Sequence, residues 1–162
     1  MSFDLFGFEI RIRAGGWYLI VLFMLAGYSF STDGNGILIK VSTGFLFFVL
    51  GLGTLFGHAF AHCFVAQSLS IPVDGIDVFM FGTAEAISER NIRSAKDELF
   101  FSSAGPAASM LFAGIFHLLE FALGSSPFAE TLGHLAYVNF AWSLVNLIPP
   151  HPLDRGRILR SI

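Results

Sequence analysis

The run Ile37–Leu69 reads ILIKVSTGFLFFVLGLGTLFGHAFAHCFVAQSL, and its reading decides the fold. Its only formal charge is Lys40 near the start, and it is longer than the ~20 apolar residues that cross a bilayer. Near its end stand Gly57-His58-Ala59-Phe60-Ala61-His62. Two His four residues apart lie about 40° apart around a helix and one turn along it, so both imidazoles reach one metal ion. Ionisable or ligating groups at membrane depth are costly and point to function by default.

The rest of the chain is built alike. It has 162 residues, which is one domain by length. It is 54% hydrophobic, with 20 Phe and only 13% charged residues, and its mean hydropathy is +0.71. That apolar content excludes a disordered chain, and charges so few and so clumped cannot cover a soluble surface. The net charge of −3 leaves no footprint for nucleic acid. A single cysteine excludes an internal disulfide framework and a cysteine-rich zinc module. Further apolar runs at Trp17–Phe30, Leu99–Leu123 and Phe128–Ile148 bring the expected transmembrane helices to four. The first run is short for a span and has to borrow residues at its ends.

Basic residues orient these spans. Arg11 and Arg13 precede the first, Arg90, Arg93 and Lys96 follow the second, and Arg155, Arg157 and Arg160 close the chain, leaving Lys40 alone on the other side. Eight of nine therefore share one face when both termini are cytoplasmic. The expected location is a bacterial or archaeal cell membrane, crossed several times. The residues before the first run carry no cleavable signal pattern.

Two segments are predicted to be β. Phe6–Arg13 alternates Phe8, Ile10 and Ile12 with Glu9, Arg11 and Arg13, the period of a short N-terminal strand. Val73–Ile87 is rich in β-branched and aromatic residues around Gly75 and Gly82, and reads as a membrane-associated β-hairpin or re-entrant loop. Such backbone is tolerated at membrane depth only where protein buries it or it lines a cavity. The expected fold is an all-α polytopic membrane protein with these β additions, forming one core domain over residues 1–162.

The last run ends in Asn146-Leu147-Ile148-Pro149-Pro150-His151-Pro152-Leu153-Asp154-Arg155. The orientation brings the ends of the second and fourth spans to one side, so His58, His62 and Asp154 can close on one ion. Two His and a carboxylate leave a fourth tetrahedral position for water, the layout of a catalytic zinc site.

On these residues the chain resembles the site-2 protease family of intramembrane zinc metalloproteases. His58–His62 matches the family's His-Glu-x-x-His helix, and Asn146, Pro149 and Leu153-Asp154 match its downstream Asn-x-x-Pro and Leu-Asp-Gly motif. Phe6–Arg13, Phe79–Glu85 and Ala104–Ser109 match as well, so the resemblance runs through nearly the whole chain. It implies Zn2+ as cofactor, His58, His62 and Asp154 as its ligands, and Asn146 as a stabiliser of the oxyanion. It also implies that the hairpin residues Phe79, Met80, Phe81, Gly82 and Thr83 lie against an extended substrate, as a strand added to an edge. The implied partners are membrane lipid and a transmembrane protein substrate or regulator, cut near the cytoplasmic side. The compact chain has no room for a PDZ insertion. It stops soon after Gly156, where the family often continues, so a C-terminal truncation is expected.

Two departures bear on activity. Ala59 stands where the family carries its catalytic Glu. That Glu takes the proton of the water activated by the metal and passes it to the leaving amine. Alanine can do neither, and loss of a general base costs about 10²–10⁴-fold. The chain as written is expected to bind zinc and substrate yet barely turn over, either through an inactivating substitution or as a natural pseudoprotease. Arg155 replaces the usual Gly after the liganding Asp, where its guanidinium can pair with Asp154 or reach the headgroups.

Blander readings cover the other polar residues. Asn139 reads as helix–helix glue, and Gly105, Ser109 and Ala113 read as a small-residue stripe for close packing rather than chemistry. His117, Glu120 and His134 read as interfacial, His151 as an accessory to the site, and Cys63 as a small buried hydrophobe. A b-type haem protein is a weak rival, because axial His flank a macrocycle from opposite sides. A divalent-metal transporter would string polar residues across the bilayer, whereas here they cluster at one end.

Overall fold

A computed structural model of the chain describes residues 1–13, 15–31, 36–79, 82–87 (backbone alone for 84–87) and 94–147. Each apolar run forms a helix: α1 (Tyr18–Phe30), α2 (Ile37–Ser68), α3 (Ala95–Leu123) and α4 (Pro127–Leu147). Local chemistry sets two of the starts. The Ser94 hydroxyl accepts from the Asp97 amide at 3.1 Å, and Asp97 and Glu98 place negative charge in the first turn of α3. Ser126 accepts from the Ala129 amide at 3.1 Å, with Pro127 in the first helical position, where its missing N–H costs nothing. Helix α1 keeps 13 residues and does not extend over its flanks. It is therefore about 20 Å long, short of the ~30 Å hydrocarbon core. Among the described residues, α2 and α3 are long and apolar enough to cross a membrane.

The helices are packed with their polar residues inward. Thr43, Thr54, Ser109, Asn139 and Ser143 are buried, while Leu38, Leu111, Leu118, Phe121, Tyr137 and Val145 are mostly exposed. Only 28% of the apolar window of α2 and 22% of that of α3 is covered by the rest of the protein. A core helix of a soluble protein would be mostly covered. This arrangement suits a solvent as apolar as leucine, in which small and polar residues hold helices together.

The β content exceeds the expectation of an all-α fold with one strand and a hairpin. Strands β1 (Ser2–Leu5), β2 (Phe8–Ile12), β3 (Val73–Phe79) and β4 (Gly82–Ile87) form one mixed sheet in the order β1-β2-β3-β4. The N-terminal strand starts at Phe8 rather than Phe6, because Phe6 and Gly7 turn the chain back on Ser2–Leu5 with φ of 52° and 84°. All four residues of β1 are exposed, so no buried face patterns its sequence. Strands β2 and β3 run parallel, with Ile10 opposite Ile76 and Ile12 opposite Val78. The expected hairpin forms from β3 and β4, which pair antiparallel through Phe79 and Gly82.

Ion pairs lock the parallel pair. Arg11 Nε and Arg13 Nε donate to Asp77 Oδ1 at 2.8 and 2.9 Å, and a second Arg13 nitrogen donates to Oδ2 at 3.2 Å. Partial burial by itself would raise the Asp77 carboxyl. The hydrogen bonds and charges of Arg13 and Arg11 outweigh it and hold the group below the usual carboxylate range. On the other face, Phe8, Ile10, Ile76 and Val78 pack on Leu19 of α1 and on Ala59, Phe60 and Cys63 of α2. This contact lays the sheet against the turn of α2 that carries the two histidines.

Candidate metal centre

His58 and His62 are both buried on α2, and their Nε2 atoms stand 3.3 Å apart. Helix α3 holds each ring from behind. His58 Nδ1 is 2.9 Å from Ser109 Oγ, and His62 Nδ1 is 2.8 Å from the Phe101 carbonyl oxygen. A carbonyl only accepts, so His62 carries its proton on Nδ1 and leaves Nε2 as a bare lone pair. The Ser109 hydroxyl can accept from His58 Nδ1 in the same way, and the two Nε2 lone pairs then converge on one point, where a cation would be held by both. Ligands about 2.0–2.1 Å from one ion at tetrahedral angles stand about 3.3 Å from each other. The pair therefore fits a zinc ion, with both rings oriented as metal-bound histidines usually are, by a bond from the remote nitrogen.

Sequence features of α3 explain why it serves as the backing. Pro106 has no N–H to return to the helix, and its ring presses on the preceding turn. The carbonyl deprived of its helical partner is that of Ser102, and Phe101, one residue before it, supplies the carbonyl that His62 uses. The carbonyl of Pro106 in turn accepts from Ser143 Oγ at 3.0 Å, which ties α4 to the same point. Gly105 faces the imidazoles directly. A Cβ built there would lie 2.5 Å from His58 Nε2 and closer still to His62 Nε2, so only a residue without a side chain lets α3 come this near.

The stripe Gly105, Ser109, Ala113 was expected to serve packing alone, and here the structure corrects the sequence. Ser109 bonds to the His58 ring, Gly105 clears the space before both imidazoles, and only Ala113 is plain packing. The Phe101 carbonyl left no trace in the sequence, because any residue supplies a carbonyl. The signal that was available is the Gly-Pro pair followed by Ser within one turn, opposite a His pair.

Other expected site residues fall as follows. Ala59 is fully buried in the apolar cluster between α2 and the sheet. Asn146 lies exposed in the last turn of α4, donating to the Trp142 carbonyl at 2.7 Å, and no described contact joins it to the histidines. Phe79 ends β3 and is half-exposed, and Gly82 and Thr83 open β4. Asp154, Met80, Phe81, His151 and Arg155 lie outside the described residues, and among the described residues no third His, Cys, Asp or Glu joins the pair. Cys63 is the buried hydrophobe expected. His117 and Glu120 pair with each other at 3.1 Å in an exposed position. His134 stacks on Phe30 at 4.4 Å and bonds to the Glu130 carbonyl, away from the site.

No family model matches the chain. Two proteins named, provisionally, as zinc metalloproteases are similar to almost all of it. Rip3 of Mycobacterium tuberculosis is 26% identical over 166 residues, 96% of this chain and 41% of the relative. The sll0528 protein of Synechocystis is 29% identical over 167 residues, 98% of this chain and 42% of the relative. The chain thus spans about two fifths of the length of these relatives. The solved structure of the site-2 protease from Methanocaldococcus jannaschii superposes with a TM-score of 0.64 at 23% identity, covering 99% of this chain and 70% of that one. The chain has the fold of that site-2 protease, and the similar curated proteins carry the name of zinc metalloproteases.

Proposed function

We propose that this chain is the core of an intramembrane zinc metalloprotease that cuts a transmembrane segment near the cytoplasmic side. The observation that carries this reading is the convergence of two buried Nε2 atoms at 3.3 Å, each ring tied from behind by α3. His58 and His62 would hold the ion, with Asp154 as the third ligand. When bound, zinc supplies a Lewis acid for a peptide carbonyl and for a water molecule. Ser109 and the Phe101 carbonyl keep the ligand lone pairs aimed, so little reorganisation is needed on binding.

The chain's own residues account for the remaining roles. The sheet order leaves one side of β4 unpaired among the described strands, and an unwound substrate segment can add there as a further strand. Asn146 is assigned to the oxyanion: its amide gives one N–H to the Trp142 carbonyl and has a second to offer. Position 59 lies between the ligands on α2, where a glutamate would hold the proton passed from water to the leaving amine. Alanine holds none, so this chain binds without turning over. That same residue favours a second reading, a pseudoprotease that binds transmembrane segments, and release of a regulator would then fall to another protein. Both readings place the termini on the cytoplasmic side, from the eight-to-one division of basic residues. External cysteine labelling that reached position 91 and missed position 35 would reverse that orientation.

The test of the metal site is direct. Purified protein should carry about one zinc per chain, and His58→Ala should lose most of it, since removing one of three ligands leaves too few for a closed set. Equal zinc in parent and variant would end the assignment.

A further inference from the structure

A cavity of about 170 Å³ lies among the four helices and β4. We propose that it receives one apolar side chain of the substrate segment, of the size of Leu or Phe, and so selects which residue lies beside the bond to be cut. The inference rests on the protease reading and names the side-chain class that site accepts.

Its position argues for a substrate side chain. Ser109 lines the cavity and also holds His58 at 2.9 Å, so the cavity wall is one side chain away from the candidate ligands. Gly82, the first residue of β4, lines it as well. A strand added to β4 therefore runs past the cavity with its side chains alternating toward and away from it. Gly82 has φ of 148°, a conformation that favours glycine, and a Cβ there would come within 3.7 Å of the Trp142 ring. The strand start thus stays bare where the substrate would pass, with the indole beside it.

The wall chemistry sets the class of occupant. The polar wall groups bond within the protein: Thr54 Oγ donates to the Gly51 carbonyl at 3.0 Å, and Asn139 Nδ2 to the Leu135 carbonyl at 2.9 Å. Ser109 is engaged with His58. The remaining wall is aliphatic and aromatic, with Leu22, Leu55 and Val138 among its members. An apolar protein cavity of roughly 150 Å³ takes up benzene, so this one suits a benzyl or isobutyl group. The lining carries no charged residue, so a charged side chain would enter it without a counter-charge, at a cost.

The experiment uses the full chain in dodecyl maltoside and needs no cleavage. Val138→Cys puts a thiol on the wall, and Cys63 is fully buried and stays unreactive. The probes are synthetic Leu/Ala transmembrane peptides with a central Gly-Pro, each carrying one thiopyridyl-activated Cys at successive positions. Disulfide yield should peak at one position and its second neighbours, about fivefold above the positions between, as strand alternation requires. Filling the cavity with Thr54→Leu should lower the peak about tenfold, the scale of overpacking. Leu55→Phe serves the same purpose should Thr54→Leu fail to fold. Even yields along the peptide, as a wall facing lipid acyl chains would give, overturn the proposal, and so do a helical repeat, no crosslink at all, or a peak that filling leaves unchanged. Because zinc content and cleavage are measured separately, failure here is distinguishable from failure of the protease reading.

Discussion

Replacing Gly105 with alanine should destroy the metal site while leaving the helix bundle intact. The added methyl would lie 2.5 Å from His58 Nε2 and closer to His62 Nε2. Carbon and nitrogen do not approach within about 3 Å without bonding, so each ring must swing by at least about 0.5 Å. Zinc–ligand distances lie within about 0.2 Å of their usual values in sound sites. The rings cannot move without straining the bonds to Ser109 and Phe101, at 2.9 and 2.8 Å. Losing that orientation by itself costs ~10–100-fold in metal affinity, and the methyl also occupies space before both ligands. Zinc affinity should therefore fall at least ~100-fold, or about 2.7 kcal/mol. Competition against a chromophoric chelator at neutral pH measures it. Gly114 on the same helix is the control, because a Cβ there meets nothing within 4 Å. Gly114→Ala should keep full zinc affinity and gain about 0.5–1 kcal/mol of helix stability. A Gly105→Ala protein that binds zinc as tightly as the parent would refute the placement of the site at this crossing.

Ser109→Ala removes the bond behind His58 while leaving space before it, so zinc affinity should drop ~10–100-fold, less than for Gly105→Ala; an unchanged affinity would make Ser109 mere packing. Ala59→Glu, loaded with zinc, should cleave a transmembrane peptide at least ~10²-fold faster than the parent and lose this to chelators. Its carboxylate enters an apolar cluster, so the variant should melt below the parent without zinc and recover with it; a folded, zinc-loaded variant that cuts nothing would favour the pseudoprotease. The lowered Asp77 carboxyl stabilises the sheet fully above its unfolded value near ~4, and this contribution is lost as pH falls through the lower folded value. Asp77→Asn should cost up to ~1 kcal/mol at neutral pH and flatten the acid limb of a melting-temperature profile; an unaltered acid limb would remove the clamp from the account.

Local pattern carried the helices and the two histidines. Apolar runs persist over whole spans, and residues four apart meet on a helix whatever it packs against, so Ile37–Leu69 announced both α2 and a possible ligand pair. Alternation over Phe8–Ile12 announced β2 for the same reason, since burial of one face imprints a period of two. The exposed Ser2–Leu5 had no such imprint and became a strand only by pairing with β2. Parallel pairing of Ile10 with Ile76 joins residues separated by two helices, and no local signal encodes it. The site divides in the same way. The sequence determined that His58 and His62 share one face of a helix. Which nitrogen of each ring is left for an ion was decided by Ser109 and by a backbone carbonyl at Phe101, 51 and 39 residues along the chain. Those contacts exist only because a glycine at 105 lets two helices approach more closely than any other residue would allow.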